Sequence, residues 1–183
     1  MPLYLTEDKR NRTYNKIKFG LSGGFDSGVQ TASLIKKQSQ EYKTDPKLRG
    51  LAVSVVRNVN HNDYLGQVNA VYNFVKNNVK FVRDIAGIET LQSPWVTLPE
   101  QYSNKGIGAG DCDDQSLLII SMLQSIGFQG IKLRVVNYLP TDMEYRHIYA
   151  IVNIGGKDYA IDTVYGKGVG SEVKHFSHED IVI

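Results

Sequence analysis

Cys112 is the only cysteine among the 183 residues, and it lies in Gly110-Asp111-Cys112-Asp113-Asp114, directly before an apolar run. Leu117, Leu118, Ile120, Met122 and Leu123 carry that run to Ile126, and Gly127 closes it as a C′ glycine does, so the expected helix covers 112–126. Asp111 is a preferred N-cap type. The thiol then falls in the first turn, where unpaired N–H groups and the positive end of the helix dipole favour a thiolate, and hence a nucleophile at neutral pH. The alternative for a lone cysteine is a small buried hydrophobe. Three flanking aspartates argue against burial in an apolar core. Asp113 and Asp114 read as helix N-terminal charges that favour the dipole.

A nucleophilic cysteine needs a base, and the chain has four histidines. His61 lies in a polar stretch near 58–62, and His175 and His178 lie in a polar terminal stretch, so all three read as solvated. His147 instead opens the alternating segment His147-Ile148-Tyr149-Ala150-Ile151-Val152-Asn153-Ile154. Gly155-Gly156 follows, and then a second such segment, Lys157-Asp158-Tyr159-Ala160-Ile161-Asp162-Thr163-Val164. Gly-Gly between two such runs predicts a two-residue hairpin. That loop pairs Ile154 with Lys157, Val152 with Tyr159, Ala150 with Ile161 and Ile148 with Thr163, which makes one apolar face. On the other face Tyr149 meets Asp162 and His147 meets Val164, leaving His147 and Asp162 as diagonal neighbours roughly 7–8 Å apart at the backbone. A carboxylate there accepts the imidazole N–H, fixes its tautomer and stabilises the imidazolium formed when the thiol loses its proton. A one-residue change in the loop would put the two residues on opposite faces.

Cys112, His147 and Asp162 are therefore a candidate nucleophile, base and orienting group. Their order, and their placing at a helix start and on adjacent antiparallel strands, resemble the transglutaminase-like branch of the papain-type cysteine enzymes. The resemblance rests on Gly110-Asp111-Cys112, on His147 followed by Ile148-Tyr149-Ala150-Ile151, and on Tyr159-Ala160-Ile161-Asp162, with Tyr159 where that superfamily usually has tryptophan. It extends upstream through Val79-Lys80-Phe81-Val82-Arg83-Asp84, Gly87-Ile88-Glu89 and Leu91-Gln92-Ser93-Pro94 to Asp113-Asp114, a wording similar to phage and prophage transglutaminase-like proteins. The resemblance covers roughly 25–166. It implies a cysteine hydrolase or acyl-transferase acting on a peptide or protein amide, in a bacterial host cytoplasm or a phage virion. Other virion proteins are partners that it also implies. The alternative is a structural or interaction component of a phage particle that reuses the fold. Neither cofactor nor metal is called for. The oxyanion of an acyl-transfer step would be held by the Cys112 N–H and one side-chain donor, for which Gln101, Asn104, Trp95 and Tyr102 are candidates by chemistry.

A rival motif is Ser22-Gly23-Gly24-Phe25-Asp26-Ser27, which has the wording of the pyrophosphate-gripping loop of ATP pyrophosphatases. Its context does not fit. Upstream, Ile17, Phe19 and Leu21 make only a short strand. Downstream, Leu48, Leu51, Ala52, Val55, Val56 and Val59 follow helical spacing where a nucleotide-binding sheet needs a second strand. The motif then reads as a Gly-Gly turn with Asp26 or Ser27 capping a helix over 27–40. His175, His178, Glu179 and Asp180 lack the anchored third ligand that a metal site needs.

Composition bounds the rest. The chain is long enough for one buried core, is 42% hydrophobic and has no apolar stretch near 18 residues, so no membrane span is expected. Met1 leads into a polar run rather than a signal peptide. A single cysteine fits a reducing compartment. A net charge of +2 is too small to point to a nucleic-acid partner. Further helices are expected over 47–58 and 63–78, and strands over 131–138, 147–154 and 158–164. The expected fold is α+β, with N-terminal helices packed on a small antiparallel sheet. The organisation is an N-terminal extension (1–24), a transglutaminase-like domain (25–169) and a C-terminal segment (170–183). The connection 82–110 is too long for an idle loop and leads into Cys112, so it is expected to wall the cleft.

Overall fold

The computed structural model describes residues 17–19, 26–84, 89–140 and 145–183, and within these the chain is α+β. Most of the Gly-Gly motif at 22–27 therefore lies outside the described residues; the helix that follows begins at Asp26. In chain order the elements are β1 (Ile17–Phe19), α1 (Asp26–Tyr42), α2 (Pro46–Val56), α3 (Tyr64–Asn78), β2 (Lys80–Phe81), β3 (Glu89–Leu91), α4 (Pro94–Thr97) and β4 (Ala109–Gly110). There follow α5 (Cys112–Ser125), β5 (Lys132–Asn137), β6 (His147–Ile154), β7 (Lys157–Ile161) and β8 (Ser177–Val182). The main sheet has the order β7-β6-β5-β8, antiparallel throughout. Two small pairs, β1 with β3 (antiparallel) and β2 with β4 (parallel), lie outside it.

The helices start where side chains satisfy their first N–H groups. Asp45 caps α2, accepting from Lys47 N (2.8 Å) and Leu48 N (3.2 Å), with Pro46 at the first position, where its missing N–H costs nothing. Asp63 caps α3 through Gly66 N. At its other end α5 closes with paired bonds from Gly127 N to Gln124 O and from Phe128 N to Leu123 O. Gly127 there has φ +104, which disfavours any side chain. Leu117, Leu118, Ile119, Ile120, Met122 and Leu123 are all buried, so α5 is the axle of the core, packed by the four other helices and by β6. Leu133, Val135, Ile148, Ala150, Val152 and Ile161 supply the sheet face beneath it.

The hairpin has the expected register: Ile154 pairs with Lys157, Val152 with Tyr159 and Ala150 with Ile161. Gly155 and Gly156 have φ +61 and +84, the turn geometry that matches the strand twist. Two expectations change. β7 stops at Ile161 rather than 164, because the Asp162 carboxylate takes the N–H groups of Val164 and Tyr165 and turns the chain out of the ladder. The rungs expected for Tyr149, Ile148 and His147 on β7 are not formed, and His147 pairs with Val136 of β5 instead. The connection 82–110, expected as a long loop, carries β3, α4, β4 and a bridge between Pro99 and Ile107. Beyond these, β8 within the C-terminal segment is the sheet's fourth strand, with Ile183 N also bonded to Ile131 O.

Candidate active site

Asp111 makes a capping box at the start of α5. Its carboxylate accepts from Asp114 N (3.5 Å), and that of Asp114 accepts from Asp111 N (3.3 Å). A Cβ at Gly110 would stand 2.7 Å from the Asp114 Cβ, so the glycine before Asp111 is what lets the box close. The aspartates expected to keep Cys112 out of an apolar core are themselves buried, Asp111, Asp113 and Asp114 alike, and Cys112 between them is half-buried. What brings Asp114 inside is Gln92, just past β3, whose backbone N–H donates to Asp114 Oδ1 (2.6 Å) and whose amide donates to Oδ2. Burial, with the Asp111 charge beside it, still pushes Asp114 up to about 7. Burial likewise raises Asp111. The oxygens of these three carboxyls lie close enough together to offer a cation ligands. Those of Asp111 and Asp114, however, are committed to N–H donors at the positive end of a helix dipole, a place suited to anions.

Two polar side chains in the next turn hold this end of α5 against the strands. Ser116 Oγ donates to Cys112 O (2.6 Å) and also lies 3.3 Å from Ile148 O on β6. Gln115 donates to Gly110 O (3.1 Å) and accepts from Thr163 Oγ1 (2.7 Å), next to Asp162. The turn that carries the thiol is thereby tied to the residue after His147 and to the residue after Asp162. Sequence reasoning missed Gln92, Gln115 and Ser116. The trace of the last two was that they interrupt an apolar helix at positions three and four after Cys112.

His147 and Asp162 come together. Nε2 of the imidazole lies 3.0 Å from Asp162 Oδ2, with both side chains 2% exposed or less. This is ion-pair distance, although the ring N–H is not aimed along the line between them. Asp162 Oδ1 accepts from Val164 N (2.9 Å) and Tyr165 N (3.0 Å). Burial pushes this carboxyl up, but the His147 contact and the two amides outweigh it and hold it below its ordinary value. The imidazole lies between two tyrosine rings, Tyr149 at 5.4 Å and Tyr165 at 4.9 Å between centroids. Tyr149 is itself anchored, its hydroxyl donating to Glu172 (3.0 Å), which is also bound by Arg134 (3.1 Å).

Three of the four candidate oxyanion donors, Trp95, Tyr102 and Asn104, line a different concavity. Trp95 donates its single indole N–H to Asp45 (2.9 Å). With Tyr102 and Asn104 it lines a concavity of about 590 Å³ against Tyr42, Asp45 and Lys47, and none of Cys112, His147 or Asp162 lines it. Gln101 is exposed in the same loop, and Tyr102 packs edge-on against Phe74 (5.1 Å). This part of the expected cleft wall thus faces the junction of α1 and α2.

No protein-family model and no curated protein sequence matches the chain. Two solved structures resemble it in fold. One, from Parabacteroides distasonis, is described as a "putative protease" and superposes with a TM-score of 0.46 at 14% identity over 74% of this chain. The other, from Cytophaga hutchinsonii, is described as a "putative cysteine protease" and gives 0.42 at 16% identity over 75% of this chain. Both are longer proteins, of which this chain spans 26% and 50%.

Proposed function

We propose that this chain is a cysteine-dependent acyl-transfer enzyme acting on a peptide or side-chain amide, with Cys112 as nucleophile, His147 as base and Asp162 as the group that orients the imidazole. The observation that carries this reading is the buried contact of 3.0 Å between His147 Nε2 and Asp162 Oδ2, on the strand ends to which the Cys112 turn is tied. A carboxylate at that distance fixes the imidazole's orientation and stabilises the imidazolium that forms when the thiol loses its proton. With Nε2 turned to Asp162, Nδ1 is the nitrogen left for the thiol. His147 takes the thiol proton and the sulfur attacks the carbonyl carbon. As the C–N bond breaks, the imidazolium gives that proton to the leaving amine, and a thioester remains. Water or a second amine then attacks the thioester and restores the thiol. Within this reading the transglutaminase-like family and a phage origin stand as proposals, supported by the motifs around Cys112, His147 and Asp162.

Iodoacetamide at pH 6 tests the nucleophile directly. The wild type should be alkylated much faster than a free thiol, which titrates near 8.5, and His147→Ala should fall to the free-thiol rate. A wild-type rate that simply follows a titration near 8.5 would refute the reading and leave the particle-component alternative.

A further inference from the structure

The acyl-transfer reading needs a side-chain donor beside the Cys112 backbone N–H, and of the candidates Trp95 spends its N–H on Asp45 while Tyr102 and Asn104 line a different concavity. Tyr138 has the position for that task. His147 pairs with Val136, and Tyr138 follows two residues later, so its side chain leaves the sheet on the same face as the imidazole. Its ring packs against the cluster that Val136, Tyr149, Ile151 and Ala160 form, the apolar patch of that face. The ring has this place to fill, but its hydroxyl has no hydrogen-bond partner among the described residues although the oxygen is fully buried. Such hydroxyls are costly and uncommon in folded proteins, and where one persists it calls for an explanation.

The surroundings supply one. Burial raises the Tyr138 hydroxyl, and the charges of Tyr165, Asp162 and Cys112 raise it further. The group therefore keeps its proton, and remains a donor, well above neutral pH.

We propose that Tyr138 is the side-chain donor that holds the carbonyl oxygen of the substrate during acyl transfer. This rests on the reading of Cys112 as nucleophile. When the carbon–sulfur bond forms, the carbonyl π pair moves onto oxygen, and the Tyr138 O–H donates a hydrogen bond to it without giving up its proton. When the C–N bond breaks, the pair returns to restore the carbonyl and the bond weakens. A donor of this kind acts only on a carbonyl that becomes tetrahedral.

That distinction sets the experiment. Acylation by p-nitrophenyl acetate passes through an oxyanion, whereas alkylation by iodoacetamide displaces iodide at a saturated carbon and forms none. In Tyr138→Phe the acylation burst should fall by about 10²-fold or more. Alkylation at pH 6 should stay within about twofold of wild type, and the thermal midpoint should not drop, because no protein hydrogen bond is lost. Unchanged acylation, with alkylation still fast, would overturn Tyr138 as donor and leave the cysteine reading standing. Loss of both reactions together would overturn it by placing Tyr138 on the thiol. A midpoint lowered by several degrees would overturn it by showing that the hydroxyl is bonded within the protein. A wild type that reacts with neither reagent faster than a free thiol would remove both readings.

Discussion

Asp162→Asn separates the two tasks that one carboxylate performs. Oδ1 holds the turn after β7 by accepting from Val164 N and Tyr165 N, and Oδ2 faces His147 Nε2 at 3.0 Å. An asparagine keeps one carbonyl oxygen, and the turn claims it, since otherwise two backbone N–H groups would confront an NH₂. The NH₂ then faces Nε2, which must turn from donor to acceptor, so the ring proton moves to Nδ1, the nitrogen that the reaction needs bare. The turn should survive, with a stability loss of about 2 kcal/mol as its two charge-assisted bonds become neutral ones. The chemistry should not. Loss of the charge and of the tautomer in a comparable triad costs about 10⁴ in turnover, and alkylation at pH 6 should fall toward the rate of a free thiol. Asp162→Ala removes both tasks. It strands two amides that had charge-assisted bonds worth about 1.5–3 kcal/mol each, so the stability loss should reach about 3–6 kcal/mol. Urea denaturation and iodoacetamide kinetics on the two variants give four numbers. If Asp162→Asn alkylates at the wild-type rate at pH 6, the orienting role is refuted; if Asp162→Ala is as stable as Asp162→Asn, the turn argument is refuted.

Two further outcomes concern Asp114 and Gly106. Asp114, pushed up to about 7 by burial and by Asp111, binds a proton in the folded chain that it lacks when unfolded at the same pH. Stability should therefore decline as pH rises from about 4 to about 7, by no more than about 1.4 kcal/mol per pH unit from this group, and level off above; a denaturation series in which Asp114→Asn keeps the same slope would assign it to another group. Gly106→Ala puts a Cβ onto the Leu98 carbonyl oxygen and 2.8 Å from the Leu98 and Pro99 carbonyl carbons, so it should cost about 3 kcal/mol or more by forcing the 98–108 loop open. A denaturation midpoint within about 0.5 kcal/mol of wild type would show that the loop can yield there.

What could be read from the chain alone, and what could not, divides by the range of the interaction responsible. Asp111, the apolar run after Cys112 and Gly127 are each within one helix, and the helix over 112–126 came out within a residue of α5 (Cys112–Ser125). Gly155-Gly156 forces both its φ angles, and a two-residue turn leaves the hairpin one register, so the pairing from Ile154–Lys157 to Ala150–Ile161 was settled by local code, while His147 and Asp162 meet beyond its last rung. The ends of the same strand were not. β7 stops early because a side chain competes for backbone N–H groups, an outcome decided by Asp162 and the turn it caps, not by the alternation of apolar residues. β8, Ser177–Val182, is polar enough to read as solvated chain, and becomes a strand because the edge of β5 is open beside it.

The burial of Asp114 turns on a partner distant in sequence. Charge predicts solvation for a residue considered alone, and what reverses it for Asp114 is Gln92, which no periodicity near Cys112 announces. The same holds for the oxyanion donor. Nearness in sequence to Cys112 favoured Gln101 and Asn104, but the loop that carries them packs on α2, where Asp45 takes the Trp95 N–H. Tyr138 comes from the far side of the nucleophile in the chain, and only its place two residues past the Val136–His147 rung, with a hydroxyl left unpartnered among the described residues, makes it visible. The three candidate catalytic residues each sit at the start or end of an element whose local signals are strong, while the groups that tune them arrive from elsewhere in the fold. A search for further working residues here should therefore begin with buried polar atoms whose partners are missing or distant in sequence, and only then turn to the neighbours of Cys112.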